Sequence, residues 1–145
     1  MRIIGPAFSA DEKIAALAEA RACIGIAWKH RGRQGLPWGS QVGLDCLGFI
    51  GRAIHAAGRT WEDRTYGRDP DGTLLAGLDA HLGERTTGFV PCSVLALRWH
   101  GQPRHVALLT EANTLIHSYN GGPMRVVEHV FDDRWRAFAY AGWAL

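Results

Sequence analysis

Cys46 is the residue from which chemistry could start. It stands in Gly43-Leu44-Asp45-Cys46-Leu47-Gly48-Phe49-Ile50, where a glycine-rich loop changes into an apolar stretch. Gly32, Gly35, Pro37, Gly39 and Gly43 cannot sustain a helix, whereas Leu47, Ile50, Ile54 and Ala57 recur at helical spacing until Gly58 supplies a stop. The spacing predicts Cys46 in the first turn of a helix. There, unpaired backbone N–H groups and the positive end of the macrodipole favour a thiolate, which lowers a cysteine pKa from about 8.5 into a reactive range. The plain alternative is a small buried hydrophobe beside Asp45 as the helix N-cap.

A thiolate nucleophile needs an imidazole as ion-pair partner and proton donor, and that imidazole needs a third group to fix its orientation. Seven histidines are available. His105 opens the strand-like run His105-Val106-Ala107-Leu108-Leu109, and His117 lies near the end of Leu115-Ile116-His117-Ser118. With Glu111-Ala112-Asn113 as the connection and Thr110 opposite Thr114, paired positions sum to roughly 224. His105 then falls near Tyr119 and diagonal to His117. Positions 105, 117 and 119 share parity, so they point to one face and could line a wall against the Cys46 helix. His30, His55, His81, His100 and His129 lack such company. His100 reads as a turn residue, and His55 and His81 as helix surface.

Other elements must position these groups. Ser9 and Glu12 make a capping box for a first helix running to about residue 25, with Ile14, Leu17 and Ala18 on one face and Cys23 as core packing. Residues 26–43 interleave Trp28 and Trp38 with Lys29, His30, Arg31 and Arg33 among glycines, the pattern of a solvated basic loop that could form one wall of a cleft. Residues 59–72 read as a surface loop. Leu74, Leu75, Leu78 and Leu82 predict a short helix ended by Gly83. Strands are expected over 94–99, 105–110, 114–119, 124–127 and 137–143, with Asn120-Gly121-Gly122-Pro123 as the strongest turn. Helices first and an antiparallel sheet of about five strands afterwards make an α+β fold.

Composition bounds the function. With 145 residues and 47% hydrophobic content, residues 1–145 are expected to form a single domain with a real core. Sixteen basic against fourteen acidic residues, with no run of like charge, give no support for nucleic acid as a partner. The start Met1-Arg2-Ile3-Ile4-Gly5-Pro6 is too poor in apolar residues for a signal peptide, and no window approaches the eighteen or so needed to span a bilayer. Synthesis in the cytoplasm without membrane insertion is therefore expected. Cys23, Cys46 and Cys92 form neither a disulfide framework nor a C-x-x-C motif, and no His/Cys pair has ligand spacing, so neither metal nor cofactor is expected.

Asp45-Cys46-Leu47-Gly48-Phe49, then Arg104-His105-Val106-Ala107-Leu108-Leu109, then Leu115-Ile116-His117-Ser118-Tyr119 resemble, in this order, the NlpC-type cell-wall peptidases, a papain-like cysteine peptidase family. The likeness runs from about residue 20 to 143. It implies Cys46 as nucleophile, His105 as general base and acid, and His117 as the orienting residue, with Trp28 and Asp45 meeting the substrate. Trp28 stands where the family commonly has tyrosine, and Pro91-Cys92-Ser93 where many members carry Pro-Gly-Asp; Cys92 is read as structural. The implied substrate is the peptidoglycan stem peptide, cut between γ-linked D-glutamate and diaminopimelate. Leu47, where free-living hydrolases often have serine, resembles the branch found in phage tails and gene transfer agents. That branch implies tail-tip, hub or baseplate proteins as partners and action on the cell wall from a particle. Two other functions fit the same residues: an N-acetylmuramoyl-L-alanine amidase, and a catalytically silent structural tail-tip subunit.

Overall fold

The structure is a computed structural model that describes residues 2–39, 42–63, 66 and 71–145. Helix α1 (Ala10–Ala22) begins at the expected capping box: the Ser9 hydroxyl accepts from the Glu12 amide, and the Glu12 carboxylate accepts from the Ser9 amide at 2.9 Å. It stops at Ala22, with Cys23 as a buried C-cap. The face turned inward is Ala16, Leu17 and Ala20, so two expected positions are corrected: Ala18 is exposed and Ile14 is 66% exposed. The stripe is rotated because α1 packs on the second helix through its alanines, and Arg52 of that helix pairs with Glu19.

Helix α2 (Cys46–Ala56) has Asp45 as N-cap and Cys46 as its first residue. Leu47, Phe49, Ile50, Ala53 and Ile54 are buried, and each large side chain among them contributes about 1.5–3 kcal/mol of transfer free energy. Gly48 has a specific task. A Cβ there would overlap the Gly32 carbonyl oxygen, so the absence of a side chain lets the preceding loop cross directly over the helix start. Helix α3 (Thr73–Leu82) buries Leu74, Leu78 and Leu82 and ends at Gly83, as the spacing predicts.

The sheet comprises β1 (Ser93–Leu97), β2 (His105–Leu109), β3 (Thr114–Tyr119), β4 (Arg125–Val130) and β5 (Ala139–Ala144), in the order β4-β3-β2-β1-β5 with antiparallel neighbours. In the β2–β3 hairpin, Leu108 pairs with Ile116 and Leu109 with Leu115, the register expected from the three-residue connection. A short helix not anticipated from sequence, α4 (Asp133–Arg136), sits between β4 and β5; Asp132 caps it by accepting from the Trp135 amide. This is the expected α+β architecture.

The two sheet faces bury different sets. Val94, Ala96, Val106, Leu108, Ile116 and Val126 join the helices in one core, while Leu95, Leu97, Ala107, Leu109 and Leu115 join Phe131 and the aromatic residues Phe89, Trp99 and Trp135 in another. Two loop expectations fail. Of residues 59–72, Arg64, Thr65 and residues 67–70 lie outside the described residues, but Trp61, Asp63 and Tyr66 are buried rather than surface. Arg33, expected in a solvated loop, is 1% exposed.

Candidate active site

The Cys46 side of the site is held by a buried ion cluster. One Asp45 oxygen accepts from the Gly48 amide and from Arg33 Nη1, each at 2.8 Å; the other accepts from the Arg31 amide at 2.9 Å and from the Tyr66 hydroxyl. Arg33 Nε donates to Glu62 at 2.8 Å, and its Nη2 donates to the Asp63 carbonyl at 2.9 Å and to the Tyr66 hydroxyl at 2.8 Å. A buried charge is stable only when paired and hydrogen-bonded on all sides, and Arg33 meets that condition. Asp45, expected to meet substrate, has both of its oxygens engaged inside the protein, where it anchors the loop to the helix start.

The Cys46 thiol is close enough to the beginning of β2 for the Val106 backbone amide to favour its anion. Burial pushes its thiol up to about 12, and the Asp45 carboxylate acts in the same direction. This reverses the expected lowering. The residue that caps the helix brings its own negative charge to the helix N-terminus, and the low polarity of the surroundings disfavours a second anion. The thiol is thus protonated at rest.

Among the described residues, the histidine side carries no such ion pair. His105 and His117 share a face, as the register requires, and His105 Nε2 lies 2.6 Å from His117 Nδ1. Strand alternation places both with Ala107 and Leu115, whereas the body of α2 packs on the Val106 and Leu108 face. So the histidine pair lies on the face of β2 opposite the one that the body of α2 covers. Burial lowers His105 to about 3, and burial together with its two histidine neighbours lowers His117 to about 2. Both rings are neutral at rest.

Sequence reasoning missed a third ring. His129 Nε2 lies 2.8 Å from His117 Nε2, and its Nδ1 donates to the Val130 carbonyl at 3.0 Å. The signal was available: His117 pairs with Val127 and Leu115 with His129 across β3–β4, which makes His129 a diagonal neighbour of His117 on the same face. Aromatic residues enclose the chain. Trp135 is tilted against His129 at 4.5 Å and edge-on to His117 at 5.2 Å, and Trp99 stacks on Tyr119 at 6.1 Å.

The remaining sequence candidates fall elsewhere. Trp28 is bridged to Leu44, two residues before Cys46, and its amide donates to the Met124 carbonyl at 2.9 Å. His55 and His81 are not bare helix surface, since each ring packs on a tryptophan, Trp38 and Trp61 respectively, at 5.3 Å. Cys23 and Cys92 are buried, and burial raises both thiols. Among the described residues no group of three His, Cys, Asp or Glu is placed to hold a metal ion, and no helix is long and apolar enough to cross a membrane.

A cysteine at a helix start, followed by an antiparallel sheet that carries two linked histidines, defines a papain-like α+β fold of the kind found in NlpC/P60 cell-wall peptidase domains. No family model matches the chain, and no curated protein matches it. Solved structures do. The P60 domain of an antigen from M. avium paratuberculosis superimposes with a TM-score of 0.63 at 14% identity, over 93% of each chain. The NlpC/p60 domain of the peptidoglycan hydrolase SagA gives 0.59 at 23% identity, over 92% of this chain and 98% of that one. RipD from Mycobacterium tuberculosis, described as a non-catalytic NlpC/p60 protein adapted to peptidoglycan binding, also gives 0.59, at 13% identity over 92% and 96%. At these identities the shared property is the fold.

Proposed function

We propose that the chain is a peptidoglycan endopeptidase that uses Cys46, His105 and His117 to cut the stem peptide between γ-linked D-glutamate and diaminopimelate. Since the fold is shared by a hydrolase and by a non-catalytic binder, the fold alone cannot choose between them. The observation that carries the reading is the site: a helix-start thiol at the His105–Val106 peptide, and a 2.6 Å link from His105 Nε2 to His117 Nδ1 that commits one ring nitrogen and leaves Nδ1 for proton transfer.

The neutral resting pair sets the order of events. As Sγ attacks the scissile carbonyl carbon, its proton passes to His105 Nδ1, and the tetrahedral intermediate collapses as that proton moves to the leaving amine. Water, deprotonated by the same nitrogen, then hydrolyses the thioester and restores the thiol. Burial, which disfavours both ions at rest, makes proton transfer and attack one coupled step. Trp28, fixed beside the approach to α2, supplies an aromatic wall for the stem peptide.

Carriage on a phage-like or gene transfer agent tail, with tail-tip, hub or baseplate proteins as partners, is supported by Leu47 in Asp-Cys-Leu-Gly. It belongs to the same proposal and has its own test, co-purification with tail proteins. The deciding experiment for the chemistry is digestion of diaminopimelate-type peptidoglycan by the purified chain, with mass identification of the new ends. New diaminopimelate N-termini, absent with Cys46→Ala, support the endopeptidase. Release of intact stem peptides from muramic acid would replace it with the amidase, and no release at all would leave a silent subunit.

A further inference from the structure

The three histidines form one hydrogen-bonded line that ends on a backbone carbonyl, and a carbonyl can only accept. His129 Nδ1, 3.0 Å from the Val130 oxygen, must therefore carry a hydrogen. In neutral His129 the Nε2 atom is then bare and accepts, so His117 Nε2, 2.8 Å away, is the donor. His117 Nδ1 is bare in turn, and His105 Nε2 donates to it across 2.6 Å. In the uncharged line each assignment follows from the one before it.

We propose that His129 is a positioning residue of the catalytic unit: through His117 it sets the tautomer of His105, so that the proton-accepting lone pair of the base is on Nδ1. Remove the Nε2 acceptor of His129, and His117 is free to take either tautomer; His105 then spends part of its time with Nδ1 protonated, unable to accept from the thiol. The position is built for the task. Trp135 packs against both His117 and His129, and Asp132 holds the turn that presents it. The line also ends at a half-buried ring, whereas His105 and His117 are buried. When His105 takes the thiol proton, its Nε2 proton can shift to His117 Nδ1 and the His117 Nε2 proton to His129 Nε2. The positive charge then rests on the ring nearest solvent, and the reverse shifts return the proton for the leaving amine.

The kinetic half of the test rests on the hydrolase reading; the spectroscopic half does not. In the 15N-labelled full chain, ring-nitrogen NMR should find His129 protonated at Nδ1, and His105 and His117 protonated at Nε2. His129→Phe keeps a ring against Trp135 but offers no acceptor. It should mix the tautomers of His117 and His105 and lower kcat for stem-peptide cleavage about 10- to 100-fold, with little change in KM. His129→Gln, whose amide oxygen can accept the same hydrogen, should restore single tautomers and most of kcat. His129 protonated at Nε2 in the parent chain, or unmixed His105 tautomers in a folded His129→Phe, would overturn the relay. A parent chain with these tautomers and no cleavage would sink the hydrolase reading and leave the relay standing.

Discussion

On the cysteine side of the site, Asp45 and Arg33 form an ion pair locked by hydrogen bonds that reach into residues 31–33, Glu62, Asp63 and Tyr66. On the histidine side, three rings share hydrogens along a line and are walled by tryptophans. The first arrangement is held from several directions at once, because the guanidinium donates to Asp45, Glu62, the Asp63 carbonyl and the Tyr66 hydroxyl. The second has one movable proton per link. The difference teaches a division of labour: one side fixes where the sulfur is, and the other decides where the proton goes.

The comparison breaks most completely at its two ends. Cys46→Ala removes the covalent attacker and His105→Ala removes the proton acceptor, so each should abolish detectable stem-peptide cleavage. Because the two act as a unit, the double variant should be no worse than Cys46→Ala alone. Measurable turnover in His105→Ala would show that the proton goes elsewhere.

Next in size is the ion cluster. Arg33→Met strands the buried Asp45 carboxylate without its cation, which should cost about 3–5 kcal/mol of unfolding free energy in a urea titration. Arg33→Met/Asp45→Asn removes both charges and should recover part of the loss. If Arg33→Met unfolds like the parent chain, Arg33 is solvated after all and the rigid side of the comparison disappears.

What could be read in advance follows from range. The capping box at Ser9 and Glu12, the helix start at Asp45–Cys46 and the 105/117 pairing are all set by local spacing or by one short turn, and all three are in the structure. The Arg33 cluster was not legible. Its partners Glu62, Asp63 and Tyr66 lie 29, 30 and 33 residues away in a stretch without periodicity, so nothing distinguished it from a solvated arginine. The thiol's high pKa was hidden for a related reason: the cap that makes the helix start visible also delivers the charge that opposes ionisation there. His129 was within reach, but only once the register argument used for the first hairpin is carried over the turn at residues 120–123 into the second.

A smaller effect is expected in the middle of the histidine line. His117→Asn offers His105 Nε2 an amide oxygen and should retain measurable activity, on the order of a tenth of the parent rate, whereas His117→Ala leaves that hydrogen without an acceptor and should lose on the order of a hundredfold. Equal rates for the two variants would mean that His117 fills space and does not orient the base.

The mildest perturbation is pH, and it separates the two sides without any mutation. His105 is lowered from 6.5 to about 3 and His117 from 6.5 to about 2 by burial, so between these values and 6.5 the unfolded chain binds protons that the folded chain refuses. Stability must then rise with pH across that window and be lost as pH falls below about 6.5, with a slope of about 1.4 kcal/mol per pH unit for each refused proton. Arg33 adds nothing to the slope in this range because it is charged in both states. The check is a set of urea titrations between pH 7 and pH 4, read alongside the same set for His117→Asn, which should show a slope smaller by about one proton. Should the two slopes coincide, His117 is already charged in the folded chain. The line of neutral rings would then carry a standing positive charge, and the contrast between a fixed ionic side and a neutral proton-shifting side would fail.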